Sequence, residues 1–251
     1  MDLVGDAEGQ VQDHGHPIDK GAPSTDQSTP TAETTMSQIH YVFIAIGVVV
    51  VTSIIVRIFR DKRRTKAMDQ LARSLGFSFA TEGDDALVES LTRFALLSAG
   101  RSHCAWNVMQ GQINEIAVTI MDFEYSSSSD QANQHIQTVV QFQSNDLQLP
   151  SFSVRPQHWI LNIAAGLAIP DINFDSHPTF SKQHLLMAVD EDAVRKTFRP
   201  DVLEFFEKRG AWGAAGDGDR LVFCITEKRI PPADIRAFVD EGMVLFALLK
   251  S

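Results

Sequence analysis

The chain has 251 residues, 44% of them hydrophobic and 22% charged, with two cysteines and a formal net charge of −10. That length allows one medium domain or two small ones, and the composition excludes a collagen-like, disulfide-framework or wholly disordered chain. An acidic balance of this size also argues against general nucleic-acid binding, which needs a basic face against the phosphates.

The mean hydropathy of −0.07 conceals a block structure. Residues 1–39 carry seven acidic residues against the single cation Lys20 and have almost no aliphatic side chains after Ile18. Such a segment buries too little apolar surface to offset the entropy of ordering it, so a disordered acidic tail is expected. His14 and His16 lack the further placed ligands a structural metal site needs. Met36 stands just before the apolar segment and is an alternative start of the chain.

Residues 41–59, YVFIAIGVVVVTSIIVRIF, contain one formal charge, Arg57. Nineteen residues make a helix of about 28 Å, close to the ~30 Å of bilayer hydrocarbon. Thirteen Ile, Val and Phe residues favour insertion by about 6 kcal/mol in total. Arg57 opposes it by at most ~3 kcal/mol, and by less near an edge where its long side chain snorkels. A transmembrane helix running from Tyr41 to Phe59 is therefore expected, over a Val-rich core strand. A cleaved secretory signal fits worse, because the preceding segment is long and acidic. Gly47 is followed four residues later by Val51, so no G-x-x-x-G dimer face is present.

Arg57, Arg60, Lys62, Arg63, Arg64 and Lys66 follow, opposed only by Asp61. The positive-inside rule places this side in the cytoplasm and the tail outside. The same cations could also attract anionic lipid. Apolar Ala67, Met68, Leu71, Ala72 and Leu75 continue at helical spacing up to Gly76, so one helix from about 41 to 75, with a basic juxtamembrane part at 60–76, is expected.

The remainder, 77–251, reads as an α+β domain, divisible near 156/157. A helix is expected at 85–98, capped by Asp84 or Asp85. Strands are expected at 102–109, 113–124 and 135–143, with a turn at Gly111-Gln112, forming an antiparallel meander. An extended segment ends at Pro156, and a helix near 157–166 follows. A strand at 183–189, helices at 191–198 and 200–209, a strand at 220–226 after a Gly216–Asp219 turn, and a helix opened by Pro232 complete the reading.

Few residues invite chemistry. His103 and Cys104 are adjacent on a strand and point to opposite faces; Cys104 and Cys224 read as inert buried thiols. Asp171, Asn173 and Asp175 open like a calcium loop, but Ser176 and Lys182 stand where Gly and Glu are required. Asp122 and Glu124 share one strand face, either as an acid/base pair or as a solvated face with cross-strand partners. No G-x-S-x-G, H-E-x-x-H, C-x-x-C, Walker or Rossmann pattern occurs. No catalytic residue, metal or cofactor is thus indicated, and a polar groove of Asp122, Glu124, Arg155 and Asp171 is the remaining candidate site.

From about residue 57 the chain resembles a family of uncharacterised bacterial single-pass membrane proteins with one cytoplasmic α+β domain. The similar stretches are Asn107–Gly111, Asp122–Tyr125, Gln137–Val139, Leu149–Pro156, Asp171–Phe174, His177–Ser181 and Arg195–Pro200. The resemblance implies the architecture and no activity. Two functions stay open: a membrane-tethered interaction module with the bilayer and a protein as partners, or a membrane-associated enzyme or small-ligand sensor.

Overall fold

The computed structural model describes residues 32–126, 134–157 and 171–250. The expected tail up to 31, the connection at 127–133 and most of the helix expected near 157–166 lie outside them. The chain divides into two units, Met1–Ile54 and Ile55–Ser251.

A single helix, α1, runs from Ala32 to Leu75, so residues 32–39 are helical where a disordered tail was expected. From Tyr41 to Ile54, in the first unit, it is apolar on nearly every side: Tyr41, Phe43, Val49 and Ile54 are all more than half exposed.

In the second unit α1 continues past Ile55, and its character changes. Met68 and Ala72 are fully buried, and Leu71 and Leu75 pack beside them. These positions share one face with Asp61 and Arg64, so a single stripe of the helix is ionic at one end and apolar at the other. Gly76, at φ 72°, ends the helix.

Among the described residues eight strands form one sheet: β1 (Ser78–Glu82), β2 (Arg101–Ile113), β3 (Ile116–Ser126), β4 (Gln134–Gln143), β5 (Leu149–Pro156), β6 (His184–Ala188), β7 (Trp212–Gly218) and β8 (Arg220–Ile225). Their order is β1-β2-β3-β4-β8-β7-β5-β6, with antiparallel pairing throughout. β2 to β4 are the expected meander, and β1, which was not expected, adds to it beside β2. The line at 156/157 does not divide the sheet, because β4 pairs with β8 and β5 lies between β7 and β6.

Helices cover both faces. One face packs α1 together with α3 (Pro178–Gln183), α4 (Glu191–Thr197), α5 (Pro200–Glu207) and α6 (Ile235–Leu249), around Phe142, Phe180, Phe198, Phe206 and Phe223. The other packs α2 (Asp85–Thr92) and residues 93–99 over Met121, Phe123, Val139 and Cys224. Asp84 caps α2 by accepting from the Leu87 N–H at 2.8 Å. The helix stops at Thr92, short of the expected 98, because three-residue turns at Phe94 and Leu97 take over and still bury Phe94, Leu96 and Leu97.

Three further differences have physical causes. The β2–β3 turn falls at Asn114-Glu115, both at positive φ, and not at Gly111-Gln112. Gly111 lies within β2, where the Phe77 ring occupies the space a Cβ would need. β7, WGAAGDG, lacks β-branched residues, but its small side chains admit large neighbours: a Cβ on Gly216 would come within 2.5 Å of the Phe152 ring. The short strand β1 and helix α3 carry too few apolar positions to show a period.

Candidate functional site

The ionic end of the α1 stripe meets the sheet at Asp122. This carboxylate is fully buried in the middle of β3. Arg64 grips it with two bonds, Nε to Oδ2 at 2.7 Å and Nη2 to Oδ1 at 2.6 Å. Asn107 Nδ2 donates to Oδ2 at 2.9 Å, Thr138 Oγ1 to Oδ1 at 3.1 Å, and Arg229 Nε to Oδ2 at 3.1 Å. Arg229 also reaches Asp61 of α1 through Nη1 at 2.7 Å, and Arg64 Nη1 donates to the Ile230 carbonyl at 2.6 Å. The Ile230 N–H closes the ring on Thr138 Oγ1 at 2.9 Å.

Local backbone makes this possible. Asn107 sits at a bulge between Trp106 and Met109, at φ 52°, a conformation that Asn tolerates better than most residues. Thr138 lies opposite Asp122 on β4. Burial pushes the Asp122 carboxyl upward, but the Arg64 hydrogen bonds and charge, with Arg229 and Asn107, hold it below the usual aspartate value. Asp122 is therefore an anion clasped between two guanidiniums, which suits a structural latch and not proton transfer at neutral pH. Arg64, expected among the topology-setting cations, belongs to the same latch. Asn107, Asp122 and Thr138 come from three of the stretches that carried the family resemblance.

Beside the latch an open groove of about 920 Å³ runs between α1 and the β1–β4 half of the sheet. Its helix wall is the neighbouring stripe Ile58, Lys62, Thr65, Lys66, Asp69 and Arg73, and its floor includes Phe79, Trp106, Asn107 and Glu124.

The four residues of the expected polar groove do not meet. Asp122 and Glu124 do share a face, with Asp122 clasped and Glu124 on the groove. Arg155 lies on the opposite face with Ser153, donating to the Ala95 carbonyl at 2.5 Å, and burial pulls its guanidinium down to about 10. Asp171 belongs to the β6 edge of the sheet, where its carboxylate accepts from the Leu186 N–H at 3.1 Å. Asn173 donates to that carboxylate at 3.3 Å, so the calcium-like segment satisfies its own loop. The register that would have separated these residues depends on strand order, which spacing along the chain does not contain.

Cys224 is fully buried and its thiol is pushed up to about 12 by that burial. Cys104, expected in the core, is exposed; partial burial raises its pKa, aided by Glu124 and Glu82. His103 points to the other face, with Nε2 2.9 Å from the Ala99 carbonyl and its ring stacked on Phe123. Among the described residues no three His, Cys, Asp or Glu side chains converge on a metal-sized point.

An antiparallel α+β domain with a long apolar helix at its head defines the class. No family model and no curated protein matches the chain. Among solved structures it is similar to the mycobacterial trehalose monomycolate transport factor A, TtfA, at 19% identity and a TM-score of 0.51, covering 74% of this chain and 92% of that one. At this identity the likeness speaks for the fold alone.

Proposed function

We propose that the protein is a single-pass, membrane-tethered interaction module of the bacterial inner membrane, with its tail outside and its α+β domain docking a protein partner at the cytoplasmic surface. Membership in the single-pass family it resembles belongs to this proposal. The observation that carries it is the apolar surface of α1 from Tyr41 onward, of which protein covers none in the most apolar window. A helix apolar all round is solvated by a protein core or by lipid, and among the described residues no core covers this one. Six cations at 57–66 support the orientation. The latch supports binding over catalysis, since it locks the one buried carboxylate of the groove region between two arginines. The name of TtfA, a transport factor, fits an accessory role at a membrane; its cargo is not carried over to this chain.

The exposed Cys104 provides the test. An impermeant maleimide should leave it unlabelled in intact spheroplasts and label it after lysis, with the protein retained in membranes after an alkaline wash. Labelling of intact spheroplasts would reverse the orientation, and release by the wash would remove the tether. A stoichiometric protein co-purifying in mild detergent is expected; a retained metabolite in its place would favour the sensor or enzyme.

A further inference from the structure

The groove beside the latch contains polar groups that the fold does not satisfy. The Trp106 indole N–H and the Asn107 Oδ1 are both buried without a hydrogen-bond partner among the described residues, and Asn107 is only 2% exposed. Such orphans are few in folded proteins and are commonly met by a water, an ion or a ligand; of those among the described residues, these are the two whose residues line the groove. One is a donor and the other an acceptor, and both residues lie on the groove floor.

The groove cations divide in the same way. Arg229 is held by Asp61 and Asp122, Arg73 by Asp69, and Arg57 donates to Gln134. Lys62 and Lys66, one turn apart on the helix wall, make no ion pair among the described residues. Two ammonium groups without an ion pair among the described residues thus share the groove lining with the residues that carry the unsatisfied indole N–H and amide oxygen, and with Glu124. Ile58 on the helix wall and Phe79 on the floor are apolar, and Ile58 belongs to the last turn of the apolar run 41–59.

We propose that this groove binds the headgroup of an anionic phospholipid that carries a free hydroxyl. The phosphodiester accepts from Lys62, Lys66 and the Trp106 N–H, and the headgroup hydroxyl donates to Asn107 Oδ1. The glycerol and upper acyl segments lie against Ile58 and Phe79. A choline headgroup offers neither net charge nor a hydroxyl donor, so the site discriminates against it. A lipid is favoured over a soluble phosphate because the groove starts at the last turn of the apolar run, and over an acidic peptide because the orphan pair asks for one compact headgroup and not an extended backbone. The assignment deepens the membrane-tether reading and rests on it.

The test uses the full-length chain, delipidated in mild non-ionic detergent and titrated with phosphatidylglycerol, phosphatidylcholine or inorganic phosphate under native mass spectrometry. One phosphatidylglycerol should bind per chain, at least about tenfold more tightly than phosphatidylcholine, with no retention of inorganic phosphate. Lys62→Gln with Lys66→Gln should weaken it about thirtyfold, roughly the loss of two surface cations. Trp106→Phe, which keeps a ring but not the N–H, should weaken it about fivefold. Lys196→Gln with Lys208→Gln, the same charge change on exposed positions outside the groove, should leave it unchanged. Equal binding of the two lipids, equal loss in the control pair, retention of inorganic phosphate, or displacement by a short acidic peptide as readily as by a short-chain phosphatidylglycerol would overturn the proposal. Retention of each variant in membranes after an alkaline wash is scored separately, so failure of the tether is distinguished from failure of the lipid site.

Discussion

Replacing Asp122 by Asn changes almost no volume and removes the charge on which the latch converges. Arg64, with a side chain only 10% exposed, and Arg229, at 27%, would then face each other across a neutral amide. Removing one partner of a buried ion pair costs about 3–5 kcal/mol. The lower part of that range applies here, because Arg64 keeps the Ile230 carbonyl and Arg229 keeps Asp61. A loss of about 3 kcal/mol corresponds to a fall in Tm of about 6–12 °C for a domain of this size. Intrinsic tryptophan fluorescence of the full-length chain in mild detergent, melted beside the wild type, measures it.

The pH dependence checks the cause. The folded Asp122 carboxyl lies below its unfolded value, so its contribution is fully present above about pH 4 and is lost as the pH falls through the folded pKa. The gap between wild type and Asp122→Asn should accordingly be constant from about pH 5 to 8 and close on the acid side. Arg64→Met combined with Asp122→Leu removes both charges and should cost less than Asp122→Asn alone. A loss below about 1 kcal/mol, or a double variant worse than the single, would refute the reasoning that the latch is a buried, charge-dependent clasp.

Met68→Ala should destabilise the domain by about 2–5 kcal/mol, since the side chain is fully buried against the sheet; denaturant titration gives the value. Gly111→Ala should cost about 1–3 kcal/mol by driving a methyl into the Phe77 ring, and pairing it with Phe77→Leu should recover part of the loss. A thiol reagent at mildly alkaline pH should modify one cysteine per native chain, Cys104, and a second, Cys224, only after denaturation, as counted by intact mass.

The elements most legible in the sequence were those marked by local residue choice: a long apolar run, strands rich in β-branched residues, and a side-chain cap. The α1 run, the β3 and β4 strands and the Asp84 cap follow directly from residue spacing. β7 was not legible, because its glycines Gly213 and Gly216 are set by the bulk of Leu96 and Phe152 across the packing, a long-range cause. Gly111 misled for the same reason: it serves close approach and not a turn. At the site, the alternation of Asp122 and Glu124 was visible, but the partner of Asp122 was not. Arg64 is indistinguishable along the chain from its basic neighbours, and Arg229 is separated from Asp122 by 107 positions. Helical spacing from Arg64 to the buried Met68 and Ala72 was the available signal that this one cation faces the domain.

Hydrogen exchange on the full-length chain in lipid nanodiscs is the most direct test, because α1 carries both the proposed membrane segment and Arg64 of the latch. The expected result is slow exchange from about 42 through 72, with residues 60–66 protected as well as the central strands β3 and β4. Fast exchange at 60–66, as in a loose linker, or at 42–56, as in a helix exposed to water, would contradict it.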